Sequence, residues 1–297
     1  MKKKLISIVI NCYNGEKYLQ KTLESVLNQN YQNFEVIFLD NCSTDQSSKI
    51  FKNIDDKRFK YFRTKKKVKL YDGRNLALKK CKGHFITFLD TDDWWNKNFL
   101  SSRSRFFNSP KEYGFCFSNC FHYFENKKKY VPFSKKKLPS GFILEELLKD
   151  YFVKMGTIMI KKELISSLKF NSSYNIIGDF DFIIRAARKY KGMSFQDYLV
   201  NIRIHQNNFT HKNRKMFYQE FLKWIKNQNF KENSFKSNKL ILLQKLEYLR
   251  IIYLILDNKK LSLIFDIIKI LPFSKKLKLL IIYFLPIFVI NFKLKYF

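Results

Sequence analysis

Three short runs rich in apolar and β-branched residues, 5–10, 34–39 and 84–89, each stop abruptly at a cluster of polar side chains. Runs of that length and composition read as strands buried on both faces. Between the first two, Leu19, Leu23, Val26 and Leu27 recur at the spacing of an amphipathic helix. Ser43 followed by Gln46 predicts a capping box that opens a second helix. A lysine-rich loop comes next, then a helical stretch over 74–82 with Gly83 as its stop. Strands alternating with helices through short connections imply a parallel sheet covered by helices, an α/β domain. In such sheets ligands bind beyond the carboxyl ends of the strands. Here those ends are 11–14, 40–45 and 90–93, so three separate segments aim polar groups at one crevice.

Composition narrows the partners. With 57 basic and 25 acidic residues the formal charge is +32, which favours nucleic acid, acidic lipid or a phosphorylated substrate. A genome rich in A and T also inflates lysine whatever the function. The chain lacks zinc, helix-turn-helix or aromatic RNA-binding patterns, so nucleic acid is not the expected partner. Glycine and proline, 8 and 5, are too few for a collagen-like or low-complexity chain. Five cysteines without CxxC spacing argue against a structural zinc or a disulfide framework and fit a reducing cytosol. The basic start is followed by an apolar run too short for a signal peptide. Residues 277–292 are apolar but carry Lys278, Pro286 and Asn291, short of the roughly 20 clean residues that a spanning helix needs.

The acidic turn Asp90-Thr91-Asp92-Asp93 crowds three carboxylates, which is unfavourable unless a cation sits among them. Oxygen-only ligands favour Mg²⁺ or Mn²⁺ shared with a substrate diphosphate. A solvated acidic turn capping a helix at Trp94-Trp95 is the plain alternative. Asp40 is either a turn residue or an acceptor for a ring N–H. Tyr13 either packs in the core or offers a stacking face to a base. Arg74 is either a surface charge on its helix or a clamp on phosphate oxygens.

Four segments taken together resemble family-2 glycosyltransferases of the glycosyltransferase-A fold. They are Ile8-Val9-Ile10-Asn11-Cys12-Tyr13-Asn14, Asp40-Asn41-Cys42-Ser43-Thr44-Asp45, Gly73-Arg74-Asn75 and Phe88-Leu89-Asp90-Thr91-Asp92-Asp93. That resemblance implies a Rossmann-like, mixed but mostly parallel sheet flanked by helices. It also implies a nucleoside-diphosphate-sugar donor, a divalent metal and inversion at the anomeric carbon. By it, Asn11, Tyr13, Asp40, Arg74, Asp90 and Arg203 bind the donor, with Asp40 on the nucleobase and Tyr13 packed against it. Asp92, the first choice, and Asp93 hold the metal. Gly178-Asp179-Phe180-Asp181 is similar to the family's acidic pair, which makes Asp179 the catalytic base and Asp181 the fallback. A helix N-cap is the structural role for Asp179. Arg203-Ile204-His205 resembles the family's Arg-x-His segment, with His205 beside the diphosphate as a metal ligand. The chain departs from the pattern at Asn11, where the family commonly has Pro. Cys42 stands at a usual Gly, where a positive φ would be strained, and Gly178 stands where the base usually has an acidic neighbour.

From about residue 212 the character changes, with 18 Lys and Arg against 5 Asp and Glu and apolar helices expected over 240–256, 261–270 and 277–292. Phe217, Phe221, Trp224 and Ile225 form a helical stripe ahead of them. The expected division is a catalytic domain over 1–211 and a C-terminal helical extension over 212–297. That extension is read as a membrane-surface module, with a cap on the catalytic domain or a homodimer contact as alternatives. The expected function is inverting transfer of a sugar from a UDP-sugar or dTDP-sugar to a glycan or polyprenyl-linked acceptor, in cell-surface polysaccharide or lipopolysaccharide synthesis. The expected location is cytoplasmic, peripheral at the inner face of the plasma membrane. A degenerate nucleotide-binding relative and a basic nucleic-acid-binding protein are the rival readings.

Overall fold

The computed structural model describes residues 4–257. The chain divides into two compact units, Met1–Leu147 with Tyr151–Arg203, and Leu148–Asp150 with Ile204–Phe297. The first opens with β1 (Ile6–Cys12), α1 (Glu16–Leu27), β2 (Phe34–Asp40), α2 (Ser47–Lys52), β3 (Phe59–Arg63), α3 (Leu70–Leu78) and β4 (Phe85–Phe88). These four strands are parallel, and β1 lies between β2 and β4. Side chains alternate along β1, so Ile6, Ile8 and Ile10 join Leu19, Leu23 and Val26 of α1 and Phe34, Val36 and Phe38 of β2 in one core. Each such side chain, fully buried, contributes roughly 1.5–3 kcal/mol.

A two-residue strand, two helical turns and a six-residue strand follow: β5 (Trp94–Trp95), α4 (Phe99–Ser102), α5 (Ser104–Phe107) and β6 (Tyr113–Ser118). Then come β7 (Phe121–Phe124), β8 (Lys129–Pro132), α6 (Leu144–Lys149), β9 (Met159–Lys161), α7 (Lys162–Ser167), α8 (Gly178–Ala187), β10 (Lys191–Phe195) and β11 (Val200–Ile204). The main sheet runs β10-β6-β9-β4-β1-β2-β3, and a smaller one runs β5-β11-β7-β8. β9 is antiparallel to both β4 and β6, so the sheet is mixed but mostly parallel, with helices on it as expected.

Several local expectations are corrected. β3 was not expected, and it is the edge strand that supplies residues to the site. Ser43 and Gln46 form no capping box: α2 starts at Ser47, its N-cap Gln46 makes no side-chain cap bond, and the Ser43 hydroxyl accepts Asn14 N–H instead. α3 begins earlier and ends earlier than 74–82. Gly83 is not a left-handed stop, since Gly141 is the glycine with positive φ among the described residues. Gly83 is needed for a close approach: a Cβ there would lie 2.5 Å from Ser7 N, and its N–H bonds Ser7 Oγ at 2.8 Å. Trp94-Trp95 is a strand, so the acidic turn before it caps no helix.

In the second unit, α9 (Phe209–Lys212) precedes α10 (Arg214–Lys226) and α11 (Asn233–Asp257). Phe221, Trp224 and Ile225 are buried with Phe235 and Leu242, as the helical stripe predicts. The helix expected over 240–256 falls within α11, while those over 261–270 and 277–292 lie outside the described residues. No described helix is long and apolar enough to cross a membrane.

Candidate active site

The parallel register sets β1 and β2 level at their carboxyl ends, with Cys12 opposite Asp40. Backbone bonds carry the pairing past the strand tips, from Asn41 N–H to Cys12 O at 2.8 Å and from Leu89 N–H to Val9 O at 3.0 Å. The turns after β1 and β2 interlock: Gly15 N–H bonds Ser47 Oγ at 2.9 Å, and Thr44 N–H bonds Asn14 Oδ1 at 2.9 Å. The three polar strand ends therefore share one edge of the sheet.

Asp40 is fully buried and well served. Its Oδ1 accepts Ser43 N–H at 2.7 Å, and its Oδ2 accepts the Tyr61 hydroxyl and Arg63 Nη1, the latter at 2.9 Å. Both side-chain donors come from β3. Cys42 adopts φ 60, the strained turn that a non-glycine residue makes here, and its thiol donates to Thr64 O at 3.1 Å. Tyr13 is neither core nor open: it is 46% exposed, and Lys67 Nζ sits 3.6 Å over its ring. Asn11 Oδ1 is buried with no hydrogen-bond partner among the described residues. Its amide nitrogen lies 2.8 Å from where a Cβ on Gly73 would be, so a side chain there would push the Asn11 amide aside.

The acidic turn after β4 is held from behind by α1, whose Thr22 hydroxyl reaches Thr91 O at 2.8 Å and Asp93 O at 2.7 Å. Asp93 is buried, with Oδ1 accepting Arg203 N–H at 2.9 Å. Arg203 also donates from Nε to Asp92 O at 3.0 Å, and its guanidinium rests 4.4 Å from the Tyr18 ring centre and 4.8 Å from that of Trp94. Burial, then the charges of Asp92 and Asp90, push the Asp93 carboxyl well above the usual carboxylate range.

Arg74 is no surface charge. It is 2% exposed and bridges two carboxylates, with Nη2 3.0 Å from Asp90 Oδ1 and Nη1 2.5 Å from Asp179 Oδ1. Burial disfavours its charge, but Asp179 and Asp90 more than offset that and raise its pKa. The guanidinium thus joins the two acidic clusters that lie far apart in sequence. Asp179 is not an N-cap: it sits in the first turn of α8, whose N-cap is Ile177. Asp181 turns away to Arg185, its Oδ2 accepting Arg185 Nε at 2.9 Å. His205 belongs to the second unit, where its Nδ1 accepts Asn207 N–H at 3.2 Å and its N–H bonds Asn208 Oδ1 at 2.7 Å.

Among the described residues, no three His, Cys, Asp or Glu side chains converge to hold a metal by themselves. The crowding at Asp92 and Asp93 still fits a hard cation. Asp90, Asp92 and Asp93 bring three carboxylates into one turn, and the donors there are all oxygen. Such a cation would complete its shell with phosphate oxygens or water.

Tyr61 and Arg63 were missed because β3 was not recognised, although the aromatic positions Phe59 and Tyr61 alternate with Lys60. Thr22 and Tyr71 carry no sequence signal: each acts across the fold on a distant turn.

The chain matches the family model for glycosyl transferase family 2 over residues 7–187. It is 36% identical over 174 residues to an uncharacterized glycosyltransferase of Haemophilus influenzae, a match covering 56% of this chain and 66% of that protein. It is 31% identical over 166 residues to UDP-Glc:alpha-D-GlcNAc-diphosphoundecaprenol beta-1,3-glucosyltransferase WfaP of Escherichia coli, covering 56% of this chain and 64% of WfaP. The matches thus span just under two thirds of the length of these two relatives. Among solved structures, S. aureus TarS 1-349 in complex with UDP-GlcNAc shares the fold at a TM-score of 0.65 and 19% identity, covering 91% of this chain and 82% of that one.

Proposed function

The chain belongs to glycosyl transferase family 2, with the glycosyltransferase-A fold, and from that premise we propose that it moves one sugar from a UDP-sugar to a glycan or lipid-linked glycan acceptor, with inversion, in cell-surface polysaccharide synthesis. One observation carries the reading. Arg74 draws Asp90, at the end of β4, and Asp179, on α8, onto a single guanidinium at the carboxyl edge of the sheet.

Each residue then has a task. Asp40, fully buried and accepting three hydrogen bonds among the described residues, takes a ring N–H of the base when Arg63, the exposed member of its donors, moves aside. The base stacks on Tyr13 by displacing the Lys67 ammonium from that ring. Asn11, with its unpartnered Oδ1, lines the same edge and offers an acceptor to the donor. Asp92 and Asp93 are the residues to hold Mg²⁺ or Mn²⁺, which when bound stabilises charge growing on the departing diphosphate. Arg203 fixes this turn through the Asp92 carbonyl and the Asp93 carboxylate. Asp179 takes the acceptor hydroxyl proton as that oxygen bonds to the anomeric carbon and the carbon–oxygen bond to the diphosphate breaks. Arg74 sits between Asp179 and Asp90 and screens their mutual repulsion.

We read the second unit as associating with an anionic membrane surface where a lipid-linked acceptor resides. Leu240 and Leu243 are exposed on α11, and Lys236 and Lys239, also exposed, share their helical face. That pattern supports apolar insertion combined with attraction to acidic headgroups.

Purified protein heated with Mn²⁺ and a panel of nucleotide sugars tests the donor. UDP and one UDP-sugar should raise the unfolding temperature, because they bind the folded state alone, and the same UDP-sugar should be consumed. Asp179→Asn should keep the protection by UDP while its turnover falls on the order of 10²- to 10⁴-fold. Protection without turnover in the wild type would identify a degenerate relative. A wild-type rate in Asp179→Asn would overturn the assignment of the base.

A further inference from the structure

We propose that Tyr71 is the positioning residue of Asp179, and that Gly178 is glycine in this chain so that the phenol can reach it. The inference deepens the reading of Asp179 as the base and rests on it. A Cβ at Gly178 would lie 2.4 Å from Tyr71 Cε2 and 2.6 Å from its Cδ2 and Cζ, so the ring fills the space of any side chain at that position. The ring is 1% exposed and stacks on Phe170 with centres 5.6 Å apart. Phe170 is itself pinned to α3, its N–H bonding Asn75 Oδ1 at 3.0 Å and its carbonyl accepting Asn75 Nδ2 at 2.9 Å.

The hydroxyl does two jobs at once. It donates to Ile176 O at 2.8 Å and accepts Asp179 N–H at 3.3 Å. That amide is one of the first-turn N–H groups that a helix leaves without an internal partner, and the N-cap residue Ile177 supplies no side-chain cap. Tyr71 therefore caps α8 from another helix. Arg74 stands three residues further along α3, on the same face, and holds the Asp179 carboxylate. α3 grips the base at two points, the main chain through Tyr71 and the carboxylate through Arg74. A side chain at 178 would expel the first of these. The chain thus has a buried phenol where the resemblance to the family leads one to expect an acidic neighbour.

The test uses Tyr71→Phe, which keeps the ring and removes the hydroxyl, with UDP release from UDP-glucose or UDP-N-acetylglucosamine as the readout, whichever the wild type consumes. At a temperature well below its unfolding midpoint, Tyr71→Phe should lose on the order of tenfold in kcat, with KM for the donor unchanged, because a displaced base harms the chemical step alone. Gly178→Ala should lower the unfolding temperature, and Tyr71→Ala/Gly178→Ala should unfold no earlier than Tyr71→Ala, since the methyl then meets no ring. Asp179→Asn is the reference. If it retains turnover, the underlying reading of the base fails. If it is inactive while Tyr71→Phe turns over at the wild-type kcat, the positioning role alone is overturned and Tyr71 is a packing residue.

Discussion

Asp40 and Asp93 sit at the ends of strands that flank β1 on either side, and both are buried, yet their surroundings are opposites. The turn after β2 surrounds Asp40 with donors: a backbone N–H, a phenol and an arginine. The turn after β4 surrounds Asp93 with more negative charge and gives its carboxylate one backbone N–H. A carboxylate whose bonds are nearly complete has a fixed direction and suits recognition of a neutral donor group. A carboxylate left short of positive charge suits the capture of a cation. Neighbouring strand ends of one sheet can therefore be built for shape and for charge, by what the next strand contributes.

Substitutions can break that contrast. Asp40→Ala should have the largest effect, because it strands the Tyr61 hydroxyl and the Ser43 N–H in a buried site. At roughly 1–3 kcal/mol for each unsatisfied group, urea unfolding should show a loss of about 2–6 kcal/mol. Asp93→Asn should do the reverse, raising stability at neutral pH while turnover collapses. The Asp93 carboxyl has a folded pKa raised above its unfolded value of about 3.9. Its contribution is fully present below the unfolded value and is lost as pH rises through the folded one. The advantage of the amide should therefore vanish near pH 3.5 and grow as pH rises, which unfolding curves at several pH values would reveal. An amide that destabilises the protein at pH 7 would show that the acidic turn is already balanced. The smallest effect sharpens the first turn: Cys42→Gly should gain roughly 0.5 kcal/mol by relieving the left-handed backbone, less glycine's added freedom when unfolded. A loss there would mean that the thiol bond to Thr64 O outweighs the strain.

How much of this was legible in the sequence follows the distance over which each residue acts. The strands β1, β2 and β4 and their polar tips were readable because hydrophobic run and punctuation are local. Cys42 was readable through the resemblance, because the family's usual glycine at that position points to a left-handed turn. β3 was not, because its half-buried residues lack a continuous apolar run and sit among lysines. Arg74 was legible as a donor-binding residue or a surface charge, but not as a bridge, because its two partners arrive from the end of β4 and from α8. Tyr71 and Gly178 make sense only as a pair, and the sequence separates them by most of the domain. Residues that serve a neighbour in space rather than in sequence stay silent until the fold is known.

The three residues of β9 weld two parallel blocks that run the same way but do not pair with each other. Every strand of the first block lies within residues 6–88, so it can close its own ladder while the rest of the chain is still being made. In the sheet, the second block pairs with the first only through Met159–Lys161, which lies antiparallel between β4 and β6. The polar tips of β1, β2 and β4 are thus framed by pairing within the first block, whereas Asp179 on α8 follows the join in sequence. The seam itself is the place where the finished sheet should breathe most, as slow amide exchange on one side and faster exchange across the join.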